Sequence, residues 1–183
     1  IPDMSPPASR FDVIGQLVPL RRYARSLARD ESDAEDLVHD ALVRAYEKRG
    51  QFRPGSSLRA WLLSIVHNTF VDGVRARRSA VVRLERAAET APDLGQPTQE
   101  HAVRLAEVRR TFMQLPDEQR AALHLVSIEG LSYQEAATTL GIPVGTLMSR
   151  LGRGRAALRA IEEGDRPGAA RLKIVGGTDD PTD

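Results

Sequence analysis

Apolar positions along this chain recur three and four residues apart, the spacing of helices rather than strands. The clearest case runs from Asp33 to Lys48, where Ala34, Leu37, Val38, Ala41, Leu42, Ala45 and Tyr46 form one stripe, with Ser32 or Asp33 as the cap. The opposite side shows Glu35, Asp36, His39, Asp40, Arg44 and Glu47, which periodicity alone reads as a solvated face. Upstream, Leu17, Leu20, Tyr23, Ala24 and Leu27 mark the apolar side of a helix over Phe11 to Arg29 that Pro19 kinks or divides. Downstream, the Gly, Pro and Ser content of 50–57 predicts a loop containing Phe52 and Arg53. Phe52 either folds back onto the core or stacks on an extruded base. A long helix then covers Ser57 to Arg78, with Leu58, Trp61, Leu62, Ile65, Val66 and Thr69 on one face and Asn68, Asp72 and Arg75 on another.

From Ser79 to Thr98 the pattern dissolves, and Ala91 to Pro97 reads as a linker. Helical spacing resumes from Gln99 to Gln114, and a further helix beginning at Pro116 runs to Ile128. Next comes the most informative stretch. Ser132 and Glu135 stand three apart as in a capping box, and Ala136, Ala137 and Leu140 give a short apolar face. Gly141 supplies the left-handed position that ends a helix, and Pro143 cannot continue it. A second helix follows, with Leu147, Leu151, Ala157, Leu158 and Ile161 as its stripe. Arg150, Arg153, Arg155 and Arg159 lie largely off that stripe, and no acid occurs between Val144 and Ala160. A short helix, a glycine turn and a cationic helix form a helix-turn-helix suited to the major groove. The plain alternative is a helical hairpin with a solvated basic face.

The expected fold class is all-α, with two small helical domains joined by a flexible linker. Residues 1–9 are expected to be disordered, 10–79 to form the first domain, 80–100 the linker, 101–162 the second domain and 163–183 a disordered tail.

The formal charge is only +1 over 183 residues, so its distribution says more than its sum. Residues 30–40 hold six acids and no Lys or Arg, whereas Arg75, Arg77, Arg78, Arg83 and Arg86 face Glu85 alone. The arginines closing the long helix serve its dipole or clamp phosphates. The absence of cysteine excludes disulfides and thiol chemistry and fits a reducing compartment. No apolar run is long enough to cross a bilayer, and no signal-peptide pattern is seen at the N-terminus. The four histidines lack metal-ligand spacing, and no phosphate-binding glycine loop or nucleophile elbow occurs. No enzyme activity, metal or cofactor is therefore expected.

Four segments, in order, resemble one family. Asp33 to Lys48 (DAEDLVHDALVRAYEK) and Leu58 to Arg78 (LRAWLLSIVHNTFVDGVRARR) look like the second conserved region of bacterial sigma factors. Leu115 to Pro143 and Val144 to Arg159 (VGTLMSRLGRGRAALR) look like the fourth. With these two regions and a short linker, the chain resembles the extracytoplasmic-function (ECF) sigma factors of the sigma-70 family over Phe11 to Ile161. That resemblance implies a non-catalytic promoter-specificity subunit of bacterial RNA polymerase in the cytoplasm. Its partners would be the polymerase core, promoter DNA and an anti-sigma factor, itself often membrane-bound, with no membrane insertion of its own.

The resemblance also implies residue roles. Asp33, Glu35, Asp36, His39, Asp40 and Arg44 would dock on the polymerase, replacing the solvated-face reading. Phe52, Arg53, Asn68, Asp72, Arg75, Arg77 and Arg78 would engage the downstream promoter element, where capture of unpaired bases offsets melting. Thr146, Met148, Ser149, Arg150, Arg153 and Arg155 would read the upstream element. Two positions depart from the family pattern. Met148 stands where Lys is common and cannot donate a hydrogen bond, and Gly152 replaces a bulkier residue. A decoy that only binds an anti-sigma factor would not need these arginines, and a conventional helix-turn-helix repressor would be a dimer on a palindromic site.

Overall fold

Local capping chemistry sets where the helices begin. The structure, a computed structural model, describes residues 12–53, 55–84 and 109–164, with side chains described to Arg77 in the third helix and to Ala160 in the last. The expectations for 1–9, for most of the 80–100 linker, for 165–183 and for the Arg78 side chain lie outside the described residues.

A 3-10 turn (Ile14–Gln16) leads into α1 (Leu17–Leu27), and Ala28 turns to extended backbone. Pro19 neither kinks nor divides α1. It is the third helical residue, where the missing N–H has no intrahelical acceptor to lose. Helix α2 is Glu31–Glu47, and its cap is Asp30 rather than Ser32 or Asp33: the Asp30 carboxylate accepts from the Asp33 N–H at 2.8 Å. The first acid of the run adopts the extended backbone of a cap, which leaves Glu31 and Asp33 at the positive end of the helix. The α2 stripe packs as expected except at Tyr46, which is 65% exposed in the last turn, with the Arg49 guanidinium 4.1 Å from its ring.

Helix α3 (Leu58–Leu84) starts where the Ser57 hydroxyl accepts from the Ala60 N–H at 3.2 Å. It continues past Arg78. The Ala, Arg and Leu of that stretch are good helix formers even where the apolar period has gone. Helices α1 to α3 pack pairwise around Leu20, Leu27, Val38, Leu62, Leu63 and Val66.

In the second bundle, residues 109–114 are helical. Helix α4 (Asp117–Leu123) then opens into a π-helical turn (His124–Ile128), where a plain helix to Ile128 was expected. The Glu129 N–H donates to the His124 carbonyl at 3.0 Å, closing the widened turn. Helix α5 (Tyr133–Leu140) has both halves of its capping box, and Gly141 ends it at φ 63°. Helix α6 (Val144–Gly164) buries Leu147 and Leu151. All described elements are helical, as expected.

The two bundles share one core. Helix α1 packs on α4 and the π turn, α3 packs on α5, and the buried side chains form one cluster across the seam.

Two glycines of α6 play opposite parts. A Cβ on Gly154 would lie 2.8 Å from Leu123 Cδ1 and 3.3 Å from its Cγ, so the bare backbone lets α4 approach. Nothing lies within 4 Å of a Cβ on Gly152. Gly154→Ala should cost about 1–3 kcal/mol through overpacking. Gly152→Ala should stabilise by up to ~1 kcal/mol through helix propensity. Thermal denaturation should therefore move in opposite directions for the two variants, and shifts of the same sign would contradict this assignment.

Candidate nucleic-acid interface

The outward side of α6 follows from its register. Gly145, Met148, Ser149, Gly152, Arg153 and Ala156 are exposed at spacings of three and four, and so share one face. Arg155 and Arg159 are exposed beside it. Arg153 Nη2 donates to the Ser149 hydroxyl at 3.0 Å. Thr146 is half-buried. The α5–Gly141–α6 corner is held by the Ser132–Glu135 box: the Ser132 hydroxyl and then its backbone N–H keep the Glu135 carboxyl below its ordinary range.

Arg150 is placed differently from its neighbours. It turns inward to the Glu118 carboxylate at 3.0 Å, leaving its side chain 18% exposed. Its charge reaches His67 on α3 of the other bundle: burial first, and then Arg150, lower the His67 pKa from 6.5 to about 4. Five of the six expected upstream-element residues thus lie on or beside the open side of α6, and Arg150 is held in the interior angle.

In the first bundle, Asn68, Asp72 and Arg75 line one exposed side of α3, and Arg77 is exposed nearby. Asp72 accepts from Arg44 Nη1 of α2 at 2.8 Å, so residues expected at two different interfaces form one ion pair. Phe52 is half-buried with its ring 5.5 Å from that of Trp61, and Arg53 is exposed. On α2, Asp33, Asp36, His39 and Asp40 face solvent, joined by Val43, which sequence reasoning did not single out. Glu35 instead pairs with Arg21 at 3.1 Å and Arg25 at 3.6 Å on α1.

The seam between the bundles holds a charge cluster that sequence reasoning also missed. The Glu129 side chain is fully buried. It accepts from Arg22 Nε at 2.8 Å, from Arg59 Nη2 and from His124 Nε2 at 3.1 Å. An ionised carboxylate only accepts, so His124 carries its proton on Nε2. Burial raises the Glu129 pKa, but the hydrogen bonds and charges of Arg22 and Arg59 outweigh it and leave the pKa below its ordinary value. Burial lowers His124 to about 4 despite the neighbouring Glu129, with Arg22 and Arg59 adding to the effect. The Tyr23 ring lies 5.2 Å from that of His124, and its hydroxyl lies 3.0 Å from His67 Nδ1.

Arg120 is the second tie across the seam. Nε donates to the Ser26 carbonyl at 2.9 Å and Nη2 to the Leu27 carbonyl at 3.0 Å, both at the C-terminal end of α1. Nη1 serves the Leu115 carbonyl at 2.6 Å and the Met113 carbonyl at 3.3 Å, and Nη2 also pairs with Asp117 at 2.8 Å. No sequence pattern distinguishes Glu129 or Arg120 from ordinary helix-end charges. Among the described residues no acid or histidine group is placed to hold a metal ion, and no helix is long and apolar enough to cross a membrane.

Comparison with known proteins places this geometry. The sigma-70 region 2 family model matches residues 16–80, and the sigma-70 region 4 model matches residues 105–158. The ECF RNA polymerase sigma factor EcfG of Rhodopseudomonas palustris is 39% identical over 153 residues, 83% of each chain. CnrH of Cupriavidus metallidurans is 36% identical over 158 residues, covering 81% of this chain and 83% of that one. Among solved structures, the sigma factor RpoE of Bartonella quintana, in complex with the anti-sigma factor NepR, superposes with a TM-score of 0.72 at 33% identity, over 84% of this chain and 96% of that one. CnrH in complex with the cytosolic domain of CnrY gives 0.60 at 34% identity, over 84% and 86%. With both conserved regions matched in order and folded as two helical bundles, the chain belongs to the ECF RNA polymerase sigma factors of the sigma-70 family.

Proposed function

We propose that this chain recruits core polymerase through the exposed side of α2 and reads the upstream promoter element with α6. The loop before α3 and the exposed Asn68, Asp72, Arg75 and Arg77 side of α3 engage the melted downstream element. The observation that carries this reading is the outward side of α6, which joins Met148, Ser149 and a run of exposed arginines to a backbone left bare by Gly145 and Gly152. The ion pair of Arg44 with Asp72 links the docking helix to the melting helix.

While Arg150 is paired to Glu118 within its own bundle, the two bundles are closed on one another in a single packed arrangement. We read it as the resting form, which an anti-sigma factor holds and core polymerase opens, in the cytoplasm where the polymerase works. The superposition on an anti-sigma-bound relative supports that reading.

Run-off transcription with core enzyme on a library of promoter fragments tests the function, and initiation above core alone is the expected outcome. The double variant Arg150→Ala, Arg153→Ala should weaken upstream-element binding by the holoenzyme. It should also flatten the dependence of log affinity on log salt by about 2, near 0.9 for each phosphate no longer neutralised. An unchanged slope would show that neither arginine neutralises a phosphate.

A further inference from the structure

We infer that Met148 reads the methyl group of a thymine in the upstream element, a specificity contact that rests on α6 being the recognition helix. The other large apolar side chains in the first half of α6, Leu147 and Leu151, are buried, whereas Met148 is 55% exposed. On its own face it is flanked by Gly145, Ser149 and Gly152, none of which is long enough to cover it. A Cβ built on either glycine meets nothing within 4 Å, so the helix can come close to a flat partner there.

The polar groups around Met148 are engaged elsewhere. The Ser149 hydroxyl accepts from Arg153, and Arg150 is paired with Glu118. In the first two turns of α6 the longest side chain on the outward face is therefore a thioether.

The occupant of this face follows from charge. Arg153, Arg155 and Arg159 are exposed along the same helix, and Val144 to Ala160 contains no acid. That combination suits a polyanion such as duplex and opposes a basic protein surface. Within a major groove every base edge presents hydrogen-bonding groups, and thymine adds a 5-methyl, the hydrocarbon a thioether can bury. Methionine is flexible and polarisable, so its terminal methyl can follow that group without a fixed rotamer. A lysine at this position would seek a phosphate or a base acceptor and would gain nothing from the methyl.

The experiment uses the full chain assembled with core polymerase. Promoter fragments with a randomised upstream element are selected by wild type, Met148→Ala and Met148→Lys. Wild type should enrich a thymine at one position, and both variants should lose that preference while keeping the rest of the element. Replacing that thymine with deoxyuridine removes only the methyl. It should weaken wild-type binding about fourfold and leave Met148→Ala unchanged.

Identical preferences for wild type and Met148→Ala, or equal binding of the thymine and deoxyuridine fragments by wild type, would overturn the Met148 contact while leaving α6 as the reader. If none of the three proteins enriches any upstream sequence, the recognition-helix reading falls and takes the contact with it. Met148 is exposed, so neither substitution disturbs the core, and initiation from a selected promoter by all three holoenzymes would verify that they are folded.

Discussion

Arg120→Lys parts the two bundles and lowers the thermal midpoint by roughly 6–12 °C, the shift expected for about 3 kcal/mol in a chain of this size. A guanidinium offers five N–H groups in a rigid fork, whereas an ammonium offers three from a single point. Arg120 spends that fork on the Ser26, Leu27, Leu115 and Met113 carbonyls and on Asp117. Two of those carbonyls end α1, where the helix dipole favours a cation. Lysine keeps the charge but leaves buried carbonyls without donors, at about 1–3 kcal/mol each. Small-angle scattering should show the radius growing, and hydrogen exchange should quicken at the end of α1 and the start of α4. A lysine variant with wild-type midpoint and radius would show that the fork is dispensable.

Glu129→Gln should produce the second large effect. The wild-type carboxylate is buried between Arg22, Arg59 and His124. The amide loses the charge and turns an N–H group toward one of the arginines. Two cations of the first bundle are then left at the seam without the anion that the second bundle supplied. Breaking a buried pair costs ~3–5 kcal/mol, and the lower end applies because Arg22 and Arg59 are partly exposed and screened. The variant should open the seam and bind upstream duplex more tightly than wild type in the absence of polymerase, since the first bundle, with His67, then no longer lies beside Arg150. Equal affinity for duplex would separate the seam from control of DNA access.

The same cluster sets a pH dependence. His124 and His67 stay neutral in the fold down to about 4, whereas each takes up a proton near 6.5 when the chain unfolds. The unfolded state therefore binds more protons across that window, and stability falls as pH drops from 6.5 to 4. Glu129 has a lowered pKa in the fold, so its contribution is present above the ordinary carboxyl range and is lost only below it, as pH falls through the lowered value. Urea midpoints measured from pH 7 to 4 should decline throughout. An opened Glu129→Gln seam should flatten the upper part of that decline, because solvent then reaches His124.

Under the proposed function the seam is a two-state element. Any partner that binds the open arrangement more tightly shifts the balance toward it, and one that spans both bundles holds it closed. The polar ties across the seam run through Glu129 and Arg120, whereas Arg150 is held by Glu118 within its own bundle.

What could be read along the chain was whatever depends on neighbours three to five residues apart. The Ser132–Glu135 box, the left-handed Gly141, the α2 stripe and the outward arginines of α6 follow from helix geometry, which any short segment carries with it. Local rules misplaced the start of α2, where three candidate caps, Asp30, Ser32 and Asp33, compete within a few residues and Asp30 takes the extended backbone. They also misjudged Tyr46, since a stripe does not reveal where the neighbouring helix stops covering it. The π turn and the seam lay beyond such rules. Glu129 meets residues 107 and 70 positions away, and Arg120 reaches back 94 to the end of α1. Sequence determined two helical bodies and the outward, arginine-bearing side of α6, because hydrogen bonds within a helix are settled by spacing. Only the tertiary structure decided that the bodies close on one another and which charges hold them, because a buried ion pair depends on surfaces that meet after each bundle has formed.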